Sequence, residues 1–95
     1  MPKESGIQSR IVAYLNSLPR ALFEVRGPGS PVGAPDIFGC IEGWHVEIEV
    51  KTPSKDSRLG SKQAYELARW DETGAHVLVA RSVDEVKEFL WENVL

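Results

Sequence analysis

Residues 44–51 alternate between apolar and polar positions, with Val46, Ile48 and Val50 on one parity and His45, Glu47, Glu49 and Lys51 on the other. Successive side chains of a β-strand point to opposite faces, so this run predicts a strand with one face in the core and a row of ionisable groups on the other. Six further elements follow from the neighbouring periodicities. Ile7, Ile11, Tyr14, Leu15 and Leu18 recur at helical spacing over residues 6–18, and Pro19 stops that helix. Its start has two readings. Ser5 and Gln8 can form a capping box that leaves Glu4 outside, or Pro2 can occupy the first turn and put Glu4 inside. Residues 21–26 alternate as a short strand, and 27–33 form a glycine- and proline-rich loop that permits close approach of backbone to a ligand. Residues 36–41 make a strand joined to the 44–51 strand by a tight Glu42-Gly43 hairpin.

Beyond Lys51 the pattern changes. A polar, basic loop covers residues 52–60, and a helix spans 61–73 with Ala64, Leu67 and Ala68 at core spacing and Gly74 as its C-terminal cap. Residues 75–80 read as a buried strand. Ser82 and Glu85 form a capping box opening a last helix whose apolar positions are Val83, Val86, Phe89, Leu90 and Val94. The order is α-β-β-β-α-β-α. The strand-helix-strand unit over 44–80 predicts a right-handed crossover between parallel strands, whereas the hairpin before it is antiparallel. The expected class is therefore α/β, a central mixed sheet flanked by helices, with residues 1–95 as a single domain.

Composition narrows the function classes. Hydrophobic content of 42% with 26% charged residues is ordinary for a globular chain. The single cysteine, Cys40, rules out an intramolecular disulfide and is expected as a small apolar filler in the second strand. No apolar run reaches transmembrane length and no secretory leader is present, so no membrane partner is expected and the cytoplasm of a bacterial or phage-infected cell is the default. His45 and His76 lack partners at ligand spacing and are expected as strand residues, so zinc is not expected. No nucleophile-base pair of the Ser, Thr or Lys type occurs. Trp44, Trp70 and Trp91 read as core or interface residues, with Trp91 at a subunit contact. The net charge of −3 sits awkwardly with a nucleic-acid partner. Three carboxylates engaged by a cation, however, would leave the 14 acidic residues reduced to eleven against 11 basic ones. Lys51, Lys55, Arg58 and Lys62 cluster after the candidate strand, while Asp84, Glu85, Glu88 and Glu92 lie on the last helix.

The chemistry concentrates in Gly33-Ala34-Pro35-Asp36 and Glu49-Val50-Lys51. Two carboxylates and an ammonium in one row are costly to bury unless they pair or hold a cation. Without the Pro35-Asp36 element the row would read as a solvated strand face carrying ion pairs. With it, the chain resembles the PD-(D/E)XK phosphodiesterase superfamily and, in its fuller pattern, the VRR-NUC branch of virus-type replication-repair nucleases. That pattern takes in Glu4 in the early helix, Gly33-x-Pro35-Asp36, Glu49-Val50-Lys51 and Gln63 opening a helix that ends in Gly74.

The resemblance implies a restriction-endonuclease-like core with its site at the sheet edge, where Asp36 and Glu49 meet across neighbouring strands. It implies a Mg²⁺-dependent DNA endonuclease, with Mn²⁺ substituting, that leaves 5′-phosphate and 3′-hydroxyl ends. Asp36 would bind or bridge the ion, Glu49 and the Val50 carbonyl would complete its protein ligands, and Glu4 would reach a second ion or one of its waters. Lys51 would lie beside the attacking water, and Gln63 would orient groups at the metal or phosphate. The family's aromatic three residues after that glutamine is replaced by Glu66, with Tyr65 adjacent. Glu47 is expected to face solvent or to support the metal from a second layer. Lys55, Arg58, Lys62 and Arg26 are the expected DNA contacts. Stand-alone members of this branch resemble junction-resolving enzymes, which makes a four-way DNA junction the favoured substrate, flaps or forks the alternative, and a non-catalytic DNA-binding subunit the reading from another class. Two symmetric nicks call for a homodimer, for which Leu90, Trp91, Val94 and Leu95 are the candidate contacts.

Overall fold

The computed structural model describes residues 3–55 and 57–95. Its elements are α1 (Glu4–Asn16), β1 (Ala21–Val25), β2 (Ile37–Ile41), β3 (Trp44–Val50), α2 (Ser61–Glu72), β4 (His76–Ala80) and α3 (Val83–Asn93). The order matches the periodicities, with ends shifted by a residue or two. At α1 the structure selects the longer reading: Lys3 is the N-cap and Glu4 lies in the first turn, where its charge complements the helix dipole. Pro2 lies outside the described residues. Ser5 does not cap; it is already helical, and its carbonyl accepts from Ser9 Oγ.

The sheet runs β1-β2-β3-β4, antiparallel across the first two pairs and parallel between β3 and β4. The β2–β3 hairpin turns on Glu42 and Gly43, both at positive φ (53° and 82°), the twist-matched form of a two-residue turn. Register pairs Ile37 with Ile48 and Phe38 with Glu47, which sorts the faces. Val46, Ile48 and Val50 join Ile37, Ile41 and Phe23 in a core closed by Ile7, Ile11 and Leu15 of α1 and Val86 and Leu90 of α3. Helix α2 packs on β3 and β4 from the other side. On the outer edge of β1 the Asn16 side chain exchanges two hydrogen bonds with the Phe23 backbone, at 2.8 and 3.0 Å, and so occupies part of an edge that would otherwise be open to pairing.

Several expected burials differ. The polar face of β3 is not solvated: Glu47 is 0% exposed and Glu49 1%, both under the layer that includes α2. In α2 only Glu66 and Leu67 are buried, whereas Ala64 and Ala68 are exposed. Strand β4 is half-buried along most of its length, with only Ala80 fully enclosed. Cys40 is exposed, because it lies beside His45 on the sheet face that α2 covers only over β3 and β4.

Candidate functional site

Glu4 at the start of α1, Asp36 just before β2 and Glu49 in β3 each bring a carboxylate oxygen within 4.8 Å of the others. Three elements distant in the chain thus converge on one point. Asp36 stands one step beyond the Ile37–Ile48 pair, opposite Glu49, and its Oδ2 accepts the Val50 N–H at 2.8 Å. Val50 therefore meets the cluster through its backbone. The site lies at the end of the two central strands rather than on an edge strand, which corrects the expected sheet-edge position.

Lys51 continues the row, nearly buried, with Nζ 3.9 Å from Glu49 Oε2. Gln63 reaches back from α2: its Oε1 accepts the Gly60 N–H at 2.8 Å, which helps cap the helix, and its Nε2 donates to Glu49 Oε2 at 3.1 Å. One oxygen of Glu49 is thus spoken for. The other, Oε1, is buried and has no hydrogen-bond partner.

This arrangement strains the carboxylates electrostatically. Burial pushes the Glu49 carboxyl up to about 8, the neighbouring Asp36 and Glu4 charges push the same way, and the Lys51 ammonium pulls against them. A buried carboxylate with an orphaned oxygen, crowded by two more carboxylates, is the environment that a divalent cation with oxygen ligands resolves. The donor set fits such an ion.

The remaining expected site residues divide. Lys55, Arg58 and Lys62 are exposed around the 52–60 loop and the start of α2. Arg81, which the sequence analysis passed over, ties that loop down by donating to the Thr52 and Ser57 carbonyls at 2.9 and 3.0 Å. Arg26 is set apart from these cations: its guanidinium is engaged with Glu47 and with the Pro35 carbonyl. Glu47 in turn does not face solvent. It accepts from Arg26 and lies 2.5 Å from His45 Nε2, and His45 stacks on Trp70 at 5.0 Å between ring centroids. Tyr65 is exposed beneath the Arg69 guanidinium and does not reach the cluster. The Arg26, Glu47 and His45 group carried no sequence signal beyond His45 and Glu47 sharing a parity with Glu49.

Solved structures share the architecture, and two of them carry descriptions that bear on it. One, described as "VRR_NUC domain", superposes with a TM-score of 0.78 at 24% identity, over 100% of this chain and 100% of that one. Another, described as "VRR_NUC domain protein", superposes with a TM-score of 0.76 at 15% identity, over 99% of this chain and 89% of that one. No family model and no curated protein sequence matches the chain. The structural likeness gives the chain the fold of those VRR_NUC domains, with helices on both faces of a four-stranded mixed sheet.

Proposed function

We propose that this chain is a Mg²⁺-dependent, structure-specific DNA endonuclease of the VRR-NUC kind, acting on branched DNA and favouring a four-way junction. The observation that carries the proposal is the convergence of Glu4, Asp36 and Glu49, with one buried Glu49 oxygen, Oε1, left without a partner and the Lys51 ammonium 3.9 Å from the other, Oε2. Glu4, Asp36 and Glu49 would hold the ion, with the Val50 backbone adjoining. A divalent ion in that position supplies Lewis acidity towards the phosphate and lowers the pKa of a bound water.

The chain's own residues do the rest. Gln63 fixes the Glu49 carboxylate through one oxygen and leaves the other, buried and without a partner, free for an ion. The Val50 N–H orients Asp36. Lys51 brings a positive charge to where negative charge develops at phosphorus, in a site shielded enough for that charge to count. Lys55, Arg58 and Lys62, exposed on the loop and helix that follow β3, would contact the phosphates of the DNA backbone. Water attack with the 3′ oxygen leaving would give 5′-phosphate and 3′-hydroxyl ends.

Cleavage of four-way junction, flap, fork and plain duplex DNAs by the purified protein in Mg²⁺ tests the substrate. The junction is expected to be cut fastest; equal rates on all four would remove the junction preference and leave a general nuclease. In the same assay Lys51→Ala is expected to lose on the order of 10²–10³ in turnover while still binding metal and DNA. Near-normal turnover by Lys51→Ala would remove its role.

A further inference from the structure

Arg26 stands where β1 ends, and its interactions converge on Asp36 from behind. Its backbone N–H donates to the Asp36 carbonyl at 2.9 Å, and its Nη1 donates to the Pro35 carbonyl, also at 2.9 Å. One residue therefore grips the two peptide units that flank the Asp36 Cα. The guanidinium is itself fixed by Glu47, with Nη1 on Oε1 at 2.5 Å and Nη2 on Oε2 at 3.1 Å. A planar fork of five donors can hold a carboxylate with two bonds and still spare one for Pro35; an ammonium cannot reproduce that pattern. The Phe38 and Trp70 rings lie 4.7 and 5.3 Å from the guanidinium carbon, and His45, stacked on Trp70, shares the Glu47 Oε2.

We propose that Arg26 is a positioning residue for the metal centre: locked by Glu47 and lined by Phe38 and Trp70, it holds the Pro35–Asp36 peptide so that the Asp36 carboxylate meets Glu4 and Glu49 at a shared divalent cation. The inference rests on the nuclease reading above and assigns Arg26 no contact with DNA. A buried ion pair with no further role would behave differently. Such pairs frequently contribute little beyond offsetting their own desolvation, and their loss changes stability without reaching a ligand site some residues away.

Mn²⁺ titration by calorimetry separates the two, using wild type, Arg26→Lys, Arg26→Met and Glu47→Gln, with Asp36→Asn as control. Removing a group that orients a metal ligand typically costs about 10–100-fold in affinity, so Arg26→Met is expected to weaken Mn²⁺ binding by at least about tenfold, with Arg26→Lys and Glu47→Gln between it and wild type. DNA affinity measured in chelator is expected to stay at the wild-type level. Mn²⁺ affinity in Arg26→Met within about twofold of wild type, where Asp36→Asn has lost it, would overturn the positioning role and leave the nuclease reading intact. Undiminished binding in Asp36→Asn would overturn both. Should Arg26→Met fail to fold, the wild-type protein carries the test: exchange of the Arg26 amide hydrogen, which bonds to the Asp36 carbonyl, is expected to slow on saturation with Mg²⁺, and an unchanged exchange rate would overturn the assignment.

Discussion

Glu49 is the side chain at which burial and charge compete most directly. Its carboxyl is pushed up to about 8, from an ordinary 4.5, first by burial and then by Asp36, against the pull of Lys51. The metal-free native state therefore keeps a proton that the unfolded chain releases. Its contribution to stability is complete below about 4.5 and is lost as the pH rises through about 8. Melting the metal-free protein across that window is expected to show a falling midpoint that Glu49→Gln flattens; the same slope in Glu49→Gln would refute the assignment. On the proposed function the ion would be held by the ionised carboxylate, so Mg²⁺ is expected to raise the midpoint most at the alkaline end. At this scale the sequence was informative where chemistry repeats at fixed spacing: strand alternation alone places Glu49 and Lys51 on one face, and Pro35-Asp36 supplies the facing carboxylate. It offered Arg26 only as a DNA contact. Nothing in a basic residue at a strand end announces a partner on β3, two elements away, and for the same reason Glu47 was expected either to face solvent or to support the metal from a second layer.

Elements hold these side chains in place through a few close approaches. Gly33 sits at φ +85°, and a Cβ there would lie 2.7 Å from the Lys62 carbonyl carbon at the start of α2. The loop before Asp36 and the helix that carries Gln63 thus touch through a glycine. Gly33→Ala is expected to cost about 1–3 kcal/mol through the strained backbone and to weaken Mn²⁺ binding by shifting Gln63 away from Glu49. Wild-type stability and affinity in Gly33→Ala would show that this contact positions nothing. For the basic segment, replacing Lys55, Arg58 and Lys62 together by alanine is expected to weaken binding to all DNA sequences alike and to flatten the salt dependence by roughly one unit per lost phosphate contact. An identical salt slope would make the segment a solvated loop. The helix faces were only partly legible. Small residues at helical spacing suggested Ala64 and Ala68 for the core of α2, but that helix covers charged groups, so its inward side is occupied by Gln63, Glu66 and Leu67 and the alanines turn outward.

As a whole, the molecule presents one carboxylate cluster of ligand geometry among its described residues, and none of their helices is long and apolar enough to cross a membrane. Symmetric cutting of a four-way junction needs two such clusters, which is the reason to propose a two-fold homodimer. Its contact surface must be smaller than the apolar end of α3 suggested. Leu90 is fully buried in the chain's own core and Val94 packs against that core, which leaves Trp91, 76% exposed, and Leu95 as the side chains available to a partner. The amphipathic pattern showed α3 to be apolar at its end but not which residues its own sheet would claim. Sedimentation at micromolar concentration is expected to give twice the 10.6 kDa chain mass, reverting to one chain in Trp91→Glu; a single-chain mass with full junction cleavage would rule the dimer out. The claim beneath all of this is that Glu4, Asp36 and Glu49 form a metal centre that hydrolyses DNA, and cleavage of a labelled four-way junction in Mg²⁺ by wild type and Glu49→Gln tests it most directly. The account predicts products from wild type that vanish in chelator and are absent with Glu49→Gln; no cleavage by wild type in Mg²⁺ or Mn²⁺, or equal cleavage by Glu49→Gln, would contradict it.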